Sequence, residues 1–243
     1  MRYPLGKVRG LAIEAHLSLL LPLGLLALLK QPDGLLGALL RFALSLVVVL
    51  LHELAHLAVG LYFGAQPQGI SLRPFAGLSS LSEPPHSVRG DVVTTLAGPL
   101  SSLFLGWLLV GFGSLTPFGT ISQVCKSVGY TTLYWTVFNL LPALPMDAGR
   151  LLWRWQVCVS GNLSSAADVT AITSRIIQGA VVFLGFVTHN PFWFALAVYL
   201  YFVGTLEIAA LMRETQSHAA TATVSPPPYA DSRPERVEIK RLD

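Results

Sequence analysis

Residues 46–57 read LVVVLLHELAHL and place two histidines and a glutamate inside an apolar run. His52 and His56 are four positions apart, so on a helix their imidazoles share one face and can bind one metal ion. Glu53 lies beside them, where a carboxylate can accept a proton from a water at the metal. Ionisable side chains are costly in hydrocarbon, so their presence in a membrane-spanning segment marks a functional site. The stretch therefore predicts a transmembrane helix that carries a hydrolytic zinc centre.

The alternative explanation of this H-E-x-x-H pattern is a chance match. A soluble surface helix could carry the three residues without consequence. Within lipid, each unpaired polar group would cost free energy. The apolar surroundings of the motif therefore favour metal binding over chance.

Composition places the chain among polytopic membrane proteins. Of its 243 residues, 53% are hydrophobic and 12% are charged, and the mean hydropathy is +0.60. The net charge of +3 could suggest a nucleic-acid partner. In a membrane protein, however, basic residues gather in the cytoplasmic loops, so we predict no nucleic-acid partner.

Six apolar segments follow one another along the chain, each near the ~20 residues that are needed to cross a bilayer. They cover residues 11–29, 36–62, 92–112, 120–141, 174–189 and 191–211. The sequence therefore predicts about six transmembrane helices.

The distribution of lysine and arginine predicts the orientation of these segments. With the N-terminus in the cytoplasm, thirteen of the 16 basic residues lie on the cytoplasmic side. We therefore predict a multi-pass protein of the cell membrane with both termini cytoplasmic. Residues 213–243 are polar and proline-rich, which predicts a disordered cytoplasmic tail. Glu207, near the inner end of the last segment, is expected to reach towards water.

A third metal ligand is required, because a catalytic zinc takes three protein ligands and keeps one open position. Asp147 is the only carboxylate between Asp91 and Asp168, and it follows the fourth apolar segment. Pro142 and Pro145 break the helix just before it. An ordinary helix exit with a solvated aspartate explains these residues equally well.

Both motifs together resemble the site-2 protease family of intramembrane zinc metalloproteases. The resemblance rests on HELAH at 52–56 and on NLLPALPMDAGR at 139–150, in this order and at this separation. Three weaker matches are His16, RPFAGL at 73–78 and LAGPL at 96–100. The match covers roughly residues 8–155. Ala76 and Ala148 stand where the family pattern has glycine, and neither change implies loss of activity.

The resemblance implies a fold and a set of roles. The fold is an all-α polytopic membrane protein with a small membrane-associated β-hairpin or loop, of the compact six-helix branch without a PDZ or CBS domain. One zinc ion per chain would be bound by His52, His56 and Asp147. Glu53 would act as general base and then as proton donor. Substrate-binding or oxyanion roles fall to Asn139, Phe75 and Gly77, although Asn139 could equally be a helix-packing amide.

The implied function is hydrolysis of peptide bonds in or near transmembrane segments of membrane protein substrates. Residues 1–212 would form the metalloprotease domain, working in the lipid bilayer, and no regulatory partner can be named. The alternative is a non-proteolytic membrane metal-binding or transport protein that uses the same histidines. Transporters favour repeated ligand motifs in two halves of the chain, and this sequence has one such cluster.

Overall fold

The computed structural model describes residues 2–8, 11–16, 34–72, 79–83, 87–117 and 119–221. Within these ranges the chain forms six α-helices and one four-stranded sheet. The helices are α1 Gly34–Tyr62, α2 Val88–Leu115, α3 Gly119–Asn139, α4 Asp147–Ser160, α5 Leu163–Thr188 and α6 Pro191–Thr221. The predicted helical membrane fold is confirmed.

Four of the described helices are long and apolar enough to cross a membrane. They are α1, α2, α5 and the Pro191–Arg213 part of α6, which match four of the six predicted segments. Helix α3 forms where the fourth segment was predicted, but its Ser, Thr, Gln and Lys residues make it less apolar than the others. Most of the first predicted segment, residues 17–29, lies outside the described residues. The number of six crossings therefore stays a prediction.

The sheet is larger than the predicted hairpin. Its strands are β1 Arg2–Val8, β2 Leu11–His16, β3 Gln66–Leu72 and β4 Ser79–Glu83, in the spatial order β1-β2-β3-β4. The β2/β3 pair is parallel and the other two pairs are antiparallel. The prediction that a helix begins at residue 11 was wrong. Residues 11–16 alternate in polarity towards their end, with Glu14 and His16 separated by Ala15, which suits an extended chain.

Helices α2 and α3 pack against each other through small residues. A Cβ atom at Gly106 would lie 2.8 Å from Leu133 Cδ2, and one at Gly129 would lie 2.9 Å from the Gly106 carbonyl oxygen. Such close approach of two backbones is the usual basis of helix association in membranes. Helices α2 and α3 are therefore closely packed, and α1 packs against both of them.

Helix α4 was not predicted as a separate element. It is amphipathic, buries Trp153 and ends at Gly161, which adopts the left-handed conformation. Helix α6 continues to Thr221, past the predicted domain boundary at residue 212. Residues 222–243 lie outside the described residues, so the division into a protease domain and a disordered tail stays a prediction.

Candidate metal centre

Three of the predicted site residues meet at the junction of α1 and α4. The Nε2 atoms of His52 and His56 are 3.1 Å apart. The Oδ2 atom of Asp147 lies 3.3 Å from His52 Nε2 and 3.5 Å from His56 Nε2. One potential ligand atom from each residue falls within 4.8 Å of the others, and both histidines are buried. The three side chains can therefore reach a single ion.

Two residues of α2 orient the imidazoles. His56 Nδ1 donates a hydrogen bond of 2.7 Å to the Thr94 carbonyl oxygen. His52 Nδ1 lies 2.9 Å from Ser102 Oγ. Because Nδ1 of His56 carries the proton, its Nε2 presents a lone pair to the centre, as a metal ligand requires.

The donor set fits a metal ion. Asp147 Oδ2 is buried and accepts no hydrogen bond from the part of the chain that the structure describes. It lies 3.5 Å from His56 Nε2, so a carboxylate oxygen and the free lone pair of an imidazole converge on one point. A cation at this point would satisfy both atoms. Two imidazoles and one carboxylate form a common ligand set of catalytic zinc sites and leave the fourth position open.

Glycine at position 98 makes room for the His56 ring. A Cβ atom there would lie 2.1 Å from His56 Nε2 and 2.6 Å from Cε1. No side chain can be added at this distance without moving the imidazole. The glycine of the LAGPL stretch therefore has a steric role at the centre.

We expect Gly98→Ala to lower both the zinc content and the activity by at least about tenfold, because the new methyl group displaces a ligand ring. Zinc content of the purified variant, measured by atomic absorption, checks this. Gly111→Ala is the matched control, because it lies on the same helix and its Cβ would meet no atom within 4 Å. Normal zinc content in Gly98→Ala would contradict the steric role.

The segment before α4 positions Asp147. The Leu144 N–H donates to Ser174 Oγ at 3.0 Å. A Cβ atom at Gly149 would lie 2.3 Å from the Ala143 carbonyl carbon, so the turn folds directly onto the start of the helix. Sequence reasoning missed Ser174 because nothing local connects it to Asp147.

Two ion pairs fix α4 to its neighbours. Arg154 contacts Asp91 of α2, with Nη2 2.9 Å from Oδ1 and Nε 3.0 Å from Oδ2. Arg150 Nη2 lies 2.7 Å from Glu207 Oε1 of α6. The expectation that Glu207 reaches towards water was wrong, because its carboxylate instead pairs with the half-buried guanidinium of Arg150.

Arg150 stands in a strongly negative environment. Burial alone would lower the pKa of its guanidinium, but the carboxylates of Glu207, Asp147 and Glu53 outweigh burial and raise the pKa above its ordinary value. The guanidinium is therefore always charged, and its direct partner is the Glu207 carboxylate.

The remaining predicted residues are placed as follows. Glu53 is buried on α1 between the two histidine positions and is not one of the grouped ligands. Asn139 is the last residue of α3 and is half-buried. Phe75 and Gly77 lie outside the described residues.

Residues 20–144 match the Peptidase M50B-like family model. This range covers just over half of the chain. The chain belongs to this family. A zinc metalloprotease of Methanocaldococcus jannaschii is 28% identical to this M50B-like chain over 221 residues, which cover 87% of this chain and 62% of that protein. Stage IV sporulation protein FB of Bacillus subtilis is 31% identical over 110 residues, which cover 44% of this chain and 37% of that protein. The M50B-like chain thus spans less than two thirds of either relative.

A solved structure of the site-2 protease from Methanocaldococcus jannaschii shares the fold. It overlays on this M50B-like chain with a TM-score of 0.68 and 24% identity, covering 86% of this chain and 95% of that one. The predicted resemblance to the site-2 protease family is confirmed. The predicted zinc agrees with the family and with the ligand group at the junction of α1 and α4.

Proposed function

We propose that the protein is an intramembrane zinc metalloprotease that hydrolyses peptide bonds in or near transmembrane segments of other membrane proteins. The observation that carries the proposal is the ligand group of His52, His56 and Asp147, built on a helix that is long and apolar enough to cross a membrane. Glu53 is buried at the adjacent position. A general base beside a metal group is the arrangement that hydrolysis requires.

The side chains have separate tasks in this proposal. When bound, zinc supplies Lewis acidity towards the scissile carbonyl and lowers the pKa of water towards ~7. Glu53 accepts the proton of the attacking water and then delivers it to the leaving amine. Thr94 and Ser102 contact the Nδ1 atoms of the two imidazoles, which would leave both Nε2 atoms to bind the metal. Asn139, at the end of α3, is proposed to orient the substrate or the oxyanion.

The substrate must expose its backbone before it is cleaved. A transmembrane helix hides its peptide bonds in intrahelical hydrogen bonds, so it has to unwind locally. Among the described strands, β4 lies at the edge of the sheet and pairs with β3, and we propose that its other side receives the substrate as an added strand. Phe75 and Gly77 fall in the sequence between these strands and are proposed to contact the substrate there.

We further propose that the protein is a multi-pass protein of the cell membrane with both termini in the cytoplasm. The support is the excess of lysine and arginine on one side of the predicted topology. In this orientation the HELAH motif lies in the inner half of its helix and meets Asp147 at similar depth.

Cleavage in a defined membrane tests the proposed function. The purified protein, placed in liposomes with a single-span protein substrate, is expected to cut that substrate in or near its span, as mapped by mass spectrometry. A zinc chelator is expected to stop the reaction and added zinc to restore it. Transport of zinc into the liposomes by a zinc-loaded protein that cuts no such substrate would instead establish the metal-transport alternative.

A further inference from the structure

The ion pair between Arg150 and Glu207 lies about one helical turn from the ligand Asp147. Arg150 is three residues from Asp147 on α4, so the two side chains are neighbours on one helix face. Arg150 Nη2 also contacts Glu207 Oε1 of α6 at 2.7 Å. The two side chains of this pair are 21% and 18% exposed, so water screens them poorly.

The pair is held in place by backbone packing next to it. One turn before Glu207, Gly204 of α6 meets the Leu144 carbonyl oxygen, which would lie 2.9 Å from a Cβ atom at that position. The same residue Leu144 donates its N–H to Ser174 of α5. Helix α6 therefore rests on the turn that leads into Asp147, and its next turn places the Glu207 carboxylate on Arg150.

The proposed centre and the ion pair together contain the charged groups of Glu53, Asp147, Glu207 and Arg150 and the bound zinc. With Glu53, Asp147 and Glu207 ionised, three carboxylates, one guanidinium and one divalent cation sum to zero. Without Glu207, the permanent cation of Arg150 has Asp147 as its nearest carboxylate along α4. A guanidinium binds carboxylates strongly and would compete with the metal for Asp147.

On the basis of the proposed function, we infer that Glu207 is a positioning residue of the metal centre: it neutralises Arg150, so that the Asp147 carboxylate remains available to zinc. Helix α6 thereby contributes to zinc affinity without providing a ligand. The alternative role is a purely structural contact, in which the pair only joins α6 to α4. The two roles differ in the zinc affinity that they predict when both charges are removed together: the positioning role predicts recovery, and the structural role predicts none.

Zinc affinity of three purified variants separates the two roles. Competition with a chromophoric chelator is expected to show that Glu207→Gln binds zinc about 10- to 100-fold more weakly than the wild type, because an unneutralised charge now faces Asp147. The double variant R150Q/E207Q is expected to bind zinc within about threefold of the wild type, because the competing cation is gone. A purely structural contact would make the double variant at least as weak as Glu207→Gln.

Asp91→Asn is the matched control. It removes the carboxylate from Arg154, which is also on α4 but lies about two turns from Asp147. We expect Asp91→Asn to leave zinc affinity within about threefold of the wild type. Wild-type affinity in Glu207→Gln, an equal loss in Asp91→Asn, or no recovery in the double variant would each overturn the inference. A wild-type protein that binds no zinc would instead overturn the proposed function.

Discussion

Glu53→Gln is expected to abolish proteolysis while zinc remains bound. Glutamine keeps the size of the side chain but cannot take a proton from water. Loss of one general base costs about 10²- to 10⁴-fold in rate, and Glu53 is proposed to act in two proton transfers, so we expect the upper end of this range or more. Zinc should remain because the ligand group consists of His52, His56 and Asp147.

Rate and metal content should be measured on the same preparation. Turnover of a single-span substrate in liposomes gives the rate, and atomic absorption gives the metal content. Leu54→Ala is a suitable control, because it changes the next residue of α1, whose side chain is 37% exposed. A zinc-loaded Glu53→Gln enzyme that works at the normal rate would remove Glu53 from the mechanism.

Asp147→Ala is expected to lose both zinc and activity. The variant reduces three ligands to two and removes a carboxylate oxygen that lies 3.3 Å from His52 Nε2 and 3.5 Å from His56 Nε2. We expect zinc occupancy well below one half and activity lowered by at least about 10³-fold, because the proposed chemistry requires the metal. Equilibrium dialysis at fixed free zinc, followed by the cleavage assay, measures both effects.

A matched control for this variant is Asp168→Ala on α5, which removes an exposed carboxylate remote in sequence from the ligand group. It should bind zinc normally. Full zinc occupancy in Asp147→Ala would mean that another residue provides the third ligand, and the roles of the two histidines would be unaffected.

The sequence predicted those features that depend on local spacing. His52 and His56 share a helix face because they are four residues apart, and their polar character in an apolar run marks them out. Asp147 was less certain from the residues alone, and the family resemblance made it the candidate. The structure brings these three side chains together from two helices.

The features that the sequence did not predict depend on contacts between distant residues. Ser102 reaches His52 across 50 positions, and Glu207 pairs with Arg150 from another helix. Residues 11–16 were expected to be helical, yet the other strands of the sheet offer them backbone partners that no local pattern reveals. Packing and ion pairing of this kind override local propensity.

The close contact between Gly98 and His56 has a consequence for the order in which the protein assembles during synthesis. The His56 ring packs directly against the backbone of α2 at Gly98, and Asp147 is translated after both histidines and after all of α2 and α3. A nascent chain that holds only α1 has two ligands, and two ligands retain zinc poorly. Under the proposed function, a complete ligand group, and with it hydrolysis, therefore requires that α1 and α4 have both been made and have packed together.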